Sequence, residues 1–289
     1  MKAFKMFQVP SYTAAALQQV AEACLSTEPA PFQQSILGFT NLPSGNLVET
    51  IHGVGHQMRV RKIERLLPAK VVKRETEIAV KQWEEQSGHP AGRRTRQELK
   101  EQTIDRLLPK AFLSSSDIDL LFTPDTLFIG SSSDTKVDAI IGLLVLAFNL
   151  SGAPEEFSAR IPDRQYTGVY LSGEGPLPID QPIVTDQSAL FADWVLGYAD
   201  LPEGYTVGTA FRSEGFQSSV LSGKHENLSD FFPSERRIVE LELHDDDVSF
   251  RLTEDLTFKS IKWKIKGEDD EATNIIRANK LVALKEAFL

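Results

Sequence analysis

Short apolar stretches cut by turn signals alternate irregularly with longer runs of helix-forming residues along this chain. Strands are predicted at KAFKMFQV (2–9), near 35–39, 47–52 and 56–63, and as a β-hairpin in DIDLLFTPDTLFIG (117–130) turning at Pro124–Asp125. More strands are predicted at 206–211, 216–221, 237–243, 247–252 and 256–265. Helices are predicted at 13–25, with Thr13 as N-cap, at 134–149, with Asp134 as N-cap, and at 189–199 and 274–289. The irregular order of strands and helices predicts an α+β fold rather than a doubly wound sheet. A Pro/Gly-rich stretch at 151–182 divides it into an N-terminal lobe, 1–150, and a C-terminal lobe, 151–289.

One segment departs from the rest. Residues 64–112 are long and polar, and the tetrapeptide Arg-Leu-Leu-Pro brackets them at Arg65–Pro68 and Arg106–Pro109. Strong helix formers run from Ala69 to about Gln86, SGHPAG (87–92) is a turn, and a second helix runs from Arg93 to Leu108. The two arms are nearly equal in length, so each Leu-Leu-Pro is expected to anchor one base of an antiparallel helical hairpin spanning 65–112. Its apolar positions are few: Val71, Val72, Ile78, Trp83, Leu99 and Ile104. Such a narrow stripe zips two helices together without burying them on all sides, so the hairpin is expected to project.

Charge sharpens the contrast. The 289-residue chain is −10 overall, yet residues 59–110 hold fourteen Lys and Arg against eight acids, a surplus of six that leaves the remainder at −16. A basic module in an acidic body can direct a polyanion to one surface. The single cysteine, Cys24, excludes an internal disulfide or a Cys-based zinc site and fits a reducing compartment. Gln18, Gln19 and Glu22 interrupt the N-terminal apolar stretch, which does not read as a secretory leader, and no run reaches the length of a membrane span. These features point to a cytoplasmic protein with no membrane association.

Two basic features are candidates for phosphate contact. On the helical hairpin, Lys70, Lys73 and Arg74 on one arm and Arg93, Arg94, Arg96 and Lys100 on the other either grip phosphates or form a solvated face balanced by i,i+4 partners such as Glu77–Lys81. In TFKSIKWKIKG (257–267), Ile261, Trp263 and Ile265 alternate with Lys262, Lys264 and Lys266. On a strand, those lysines recur about every 6.6 Å on one face, close to the spacing of phosphates along a nucleic-acid strand. Lysines that guard an edge strand against aggregation would give the same pattern.

Catalytic signals are weak. Asp125 and the Asp134-Thr135-Lys136 triplet mimic a metal-nuclease pattern, but the first reads as a turn and the second as a helix start. HDDD (244–247) and GEDDE (267–271) read as a hairpin turn and a helix N-terminus. His52 and His56 on a strand would stand about 13 Å apart, too far for one zinc. SGKH (222–225) lacks the first glycine and the Ser/Thr of a phosphate-binding loop. No catalytic residue, metal site or cofactor is assigned.

The order of these features resembles the bacterial recombination-associated RdgC family. An N-terminal Phe-Lys strand is followed by Gly38-Phe39-Thr40, a basic strand, ERLLPAKVVK, a charged helical pair, LLPKAF, a strand pair and an apolar helix. A strand pair with an Asp-Asp turn then leads into a Lys-rich strand near the C-terminus. The resemblance implies a horseshoe-shaped α+β subunit that dimerises into a ring around DNA without sequence preference. It also implies that the chain restrains RecA-type homologous recombination at the bacterial nucleoid. It assigns Phe112 to the dimer contact and Lys224 and Arg236 to DNA, whereas His225 departs from the family's polar amide. The expected partners are therefore DNA, a second copy of the chain and a RecA-type recombinase. Two alternatives stay open: a Mg²⁺-dependent exonuclease using Asp117, Asp119, Asp125 and Asp134, and a protein-interaction module whose hairpin binds an acidic partner.

Overall fold

The computed structural model describes residues 1–153, 156–160, 206–214, 217–225, 237–253, 257–267 and 269–288. Most of the predicted connector at 151–182, the predicted helix at 189–199 and Arg236 lie outside the described residues. The fold is α+β, with two antiparallel sheets.

The first sheet holds β1 (Lys5–Gln8), β2 (Ser35–Thr40), β3 (Val48–Ile51), β4 (Gly55–Leu66), β5 (Phe112–Phe122) and β6 (Thr126–Ile129). Its order is β1-β6-β5-β4-β2, with β3 also paired to β4. The second holds β7 (Thr206–Glu214), β8 (Gln217–His225), β9 (Arg237–His244), β10 (Val248–Thr253) and β11 (Phe258–Trp263), in the order β11-β10-β9-β7-β8. The helices are α1 (Ala14–Ala23), α2 (Ala69–Ser87), α3 (Arg93–Leu107), α4 (Asp134–Ser151) and α5 (Asp270–Phe288).

Alternation along the strands separates two cores. Ile118, Leu120 and Phe122 of β5 and Leu127 and Ile129 of β6 face one side of the first sheet, where Leu17 and Val20 of α1 and Ile140 and Leu144 of α4 cover them. Their neighbours Leu121 and Phe128 face the other side and join Val248, Phe250 and Leu252 of β10 and Leu281 and Leu284 of α5. Residues from both ends of the chain thus share one core. The N-terminal segment stitches the sheets together: Phe4 and Phe258 exchange N–H···O bonds of 2.9 and 3.0 Å and their rings stack 4.4 Å apart. The chain then continues into β1, which pairs with β6.

Local chemistry explains the boundaries. The Thr13 Oγ1 accepts the Ala16 N–H at 3.2 Å, capping α1 as expected. Asp134 is not the cap of α4; Ser133 holds that position, and Asp134 is the first helical residue, where negative charge suits the helix dipole. Gly55 is required where β4 passes β5, because a Cβ there would fall 1.9 Å from the Phe122 carbonyl oxygen. β4 and β5 pair over their full shared length, from His56–Phe122 to Leu66–Phe112, well past the extent predicted for either strand.

The Lys-rich strand is shorter than predicted. β11 ends at Trp263, so Lys264 and Lys266 lie beyond it. Ser260 has φ +53°, and the register with β10 slips beside it. That bulge lets Phe258 and Ile261, three residues apart, both enter the core.

Candidate nucleic-acid interface

The basic module sits on the end of the long β4–β5 ribbon. Leu66 ends β4, Pro68 precedes α2, and the chain re-enters β5 at Phe112 after α3 and a single 3₁₀ turn, Leu108–Lys110. Gly88 closes α2 with φ +72°, a left-handed cap that favours glycine, and its N–H reaches the Glu84 carbonyl at 3.0 Å. Glu84 is central to the turn, accepting from the Ala91 N–H at 2.9 Å and from Arg96 at 3.4 Å. At the other end Arg106 reaches Glu75 at 3.1 Å. Of the six apolar positions predicted to line the contact, Val72 is buried and Trp83, Leu99 and Ile104 are half-buried, while Val71 and Ile78 are exposed. Val80 and Thr103 are buried in their place, with the Thr103 hydroxyl donating back to the Leu99 carbonyl at 2.7 Å.

The cations of this module divide into two sets. Arg74 pairs with Glu75 at 3.3 Å, Arg94 with Glu98 at 3.0 Å, and Arg96 with Glu84. Lys70, Lys73, Arg93 and Lys100 are exposed and make no ion pair or side-chain hydrogen bond among the described residues. The expected Glu77–Lys81 pair is not formed: Lys81 is also without a partner among the described residues. The basic residues of β4 are otherwise committed. Arg59 meets Asp119 at 2.7 Å, and Arg61 holds Asp117 through two bonds of 2.7 and 2.8 Å. Lys62 pairs with Glu64, and Arg65 donates to the Pro29 carbonyl at 3.0 Å.

Among the C-terminal lysines, Lys262, Lys264 and Lys266 are all exposed. Lys264 is tied down by its N–H to the Asp247 carbonyl at 2.8 Å and its Nζ to the Asp245 carbonyl at 2.7 Å. Lys262 and Lys266 make no ion pair among the described residues. Lys224 belongs to β8, where the pairing with β7 is irregular.

Each carboxylate of the nuclease reading has a cationic partner. Asp117 and Asp119 are held by arginines, Asp125 by Lys285 at 2.5 and 2.7 Å, and Asp134 by Lys5 at 2.6 Å. The Arg61 hydrogen bonds hold the Asp117 carboxyl below its ordinary pKa, and the Lys285 contact does the same for Asp125. Asp245 accepts the N–H groups of Asp247 and Val248 at 2.7 Å, so HDDD is a hairpin turn. His56 bonds the Thr50 hydroxyl at 3.0 Å, and burial lowers its pKa. Among the described residues no three His, Cys, Asp or Glu side chains gather as a metal site, and no helix is long and apolar enough to cross a membrane.

Large apolar side chains are exposed beside the cations. Phe112 is 85% exposed, and its cross-strand neighbour Leu66 is 48% exposed. Sequence reasoning singled out Phe112 but missed Leu66, whose exposure follows from the continuation of β4 to the helix pair.

These features define an α+β protein in which cations without an ion-pair partner among the described residues lie on a helix pair at the end of a strand ribbon, where Leu66 and Phe112 are exposed. The chain belongs to the RdgC family: residues 1–157 match the family described as "Putative exonuclease, RdgC". It is 28% identical over 226 residues to the recombination-associated protein RdgC of Cupriavidus necator, covering 74% of this chain and 67% of that protein. It is 32% identical over 151 residues to the protein of that name from Shewanella oneidensis, covering 50% of this chain and 49% of the relative. The protein of that name from Cupriavidus pinatubonensis is 38% identical over 105 residues, 35% of each chain.

Proposed function

We propose that this chain is a non-catalytic DNA-binding protein that grips phosphates without reading sequence and dimerises into a ring around DNA. In this reading the subunit is a horseshoe of two lobes, 1–150 and 151–289, and α2 and α3 form a hairpin that projects to help close the ring. The ring restrains RecA-type recombination by occupying DNA in the cytoplasm, at the nucleoid. The observation that carries it is the set of exposed cations Lys70, Lys73, Arg93 and Lys100 on one helix pair, which have no ion-pair partner among the described residues. Lys262 and Lys266 add two more. A ring needs only phosphate contacts, so cations on a scaffold suffice and base-reading side chains are not required. Arg74, Arg94 and Arg96 reach phosphate by exchanging a local carboxylate for it; Lys224 and Arg236 are assigned to DNA by family resemblance. Leu66 and Phe112 supply an exposed apolar pair for contact with a second copy.

The family's description names an exonuclease, which supports a second reading, and in our reading such an activity would depend on Mg²⁺. It would have to free Asp117, Asp119, Asp125 and Asp134 from the cations that hold them. One experiment separates the two. A linear, end-labelled duplex of arbitrary sequence is mixed with the protein and Mg²⁺ at about 50 and 200 mM salt, and mobility and DNA length are followed together. A salt-sensitive shift with intact DNA is the expected result; shortening of the DNA would make the protein a nuclease.

A further inference from the structure

The helix pair carries a second feature that phosphate binding does not use. Ala69, Val72, Thr76 and Val80 recur at steps of three and four along α2 and so form one line on the helix. They form part of the lining of a groove of about 680 Å³, with Arg96 and Lys100 of α3 on its far side. Val72 and Val80, each 8% exposed, give it an apolar floor. Lys73, Lys81 and Lys100 stand on the rim without an ion-pair partner among the described residues. The acids on the rim are fewer: Glu84 is already met by Arg96, which leaves Glu77.

Contact with phosphates engages the lysines of the rim and leaves the floor of methyls unused. An apolar floor between lysines matches a segment that presents a large apolar side chain flanked by carboxylates. The volume lies in the range of pockets that bury a small ligand or a few side chains, roughly 300–1,000 Å³. We propose that this groove docks an acidic peptide segment of a partner protein. Its apolar side chains lie on the Val72–Val80 line and its carboxylates meet Lys73, Lys81 and Lys100. Lys73 and Lys100 also belong to the proposed phosphate grip, so the segment and DNA compete for the helix pair. The inference goes beyond the DNA reading and does not require it.

The test uses the full chain and two fluorescein-labelled peptides of equal charge, EDLLEEFDE and EDAAEEADE, followed by fluorescence polarisation. The first is expected to bind at least about tenfold more tightly than the second, and to keep that advantage at about 200 mM salt, where pure charge attraction is screened. Val80→Asn should remove the advantage with helix content unchanged by circular dichroism. Because Val80 is buried and that variant can misfold, Lys81→Glu provides an independent check. Lys81 is exposed and lies outside the cations assigned to phosphate, so this variant should weaken the first peptide about tenfold while leaving the DNA shift in place. Equal binding of the two peptides, binding of neither, or binding of the first unaffected by Lys81→Glu overturns the proposal. So does a Val80→Asn variant that loses self-association while neither peptide binds the parent, since the groove would then serve a second copy. Loss of the DNA reading is scored separately: a chain that binds the first peptide but never shifts DNA keeps this inference and discards that one.

Discussion

Arg61 and Asp117 face each other across β4 and β5 and share two hydrogen bonds of 2.7 and 2.8 Å. This pair takes a cation from the basic strand and a carboxylate from the nuclease reading in one contact. With Arg59–Asp119 beside it, the arginines of the strand are neutralised across the sheet, and the cations of the basic module left without a partner among the described residues lie on the helices.

The ion pairs set an acid limit on stability. Arg61 hydrogen bonds lower the pKa of Asp117, and the Lys285 hydrogen bond lowers that of Asp125. A carboxylate held low in the folded state contributes stability above its unfolded value, about 3.9, and loses it as pH falls through the folded value. Urea midpoints should therefore be level from neutral pH to about 5 and decline below about 4. Both pairs are partly exposed, so each contributes no more than about 1 kcal/mol. Asp117→Asn should lower the neutral-pH midpoint slightly and flatten the acid decline.

Phe112→Ala separates assembly from folding. An 85% exposed side chain contributes little to the monomer, so the thermal midpoint at low concentration should not move. As a central apolar anchor between copies it would cost about 2 kcal/mol or more on truncation. Sedimentation should then show the self-association constant weakened by about thirtyfold.

Phe258→Ala tests whether the two ends of the chain fold as one body. Phe258 is fully buried, stacks on Phe4 and joins the core that spans both sheets. Its removal should cost about 3–5 kcal/mol. Calorimetry should show residues of both sheets melting together at a lower temperature. Two transitions, only one of them shifted, would argue against a shared core.

The three C-terminal lysines should not behave alike. Lys264 is bound to the β9–β10 turn through both its backbone N–H and its Nζ. Lys264→Ala is expected to lower stability by about 1 kcal/mol, the worth of a charge-assisted bond at an exposed site. Lys262→Ala and Lys266→Ala should leave the thermal midpoint unchanged and weaken DNA binding.

Element types were largely legible in the sequence because their signals are local. Thr13 announces the start of α1, and the alternation in β5 and β6 is read from the order of residues alone. What was not legible depends on distant partners. Nothing near Asp117 in sequence reveals Arg61, fifty-six positions away, so four carboxylates looked free that are each paired. The positive φ of Ser260 has no sequence signal, because that region is normally left to glycine or asparagine, so the bulge inside the Lys-rich strand was not foreseen. Val71 was counted as lining the helix contact and Val80 was not; the i,i+4 line from Val72 through Thr76 to Val80 decides the burial, and it is seen only once the facing helix is placed.

The most direct measurement is the salt dependence of DNA affinity for the parent chain and for a variant with Lys70, Lys73, Arg93 and Lys100 all changed to Ala. If six phosphates are neutralised, the slope of log K against log[salt] should be about −5 for the parent, and removal of four contacts should make it shallower by about 3.5. Equal slopes for parent and variant would contradict DNA binding through the helix pair.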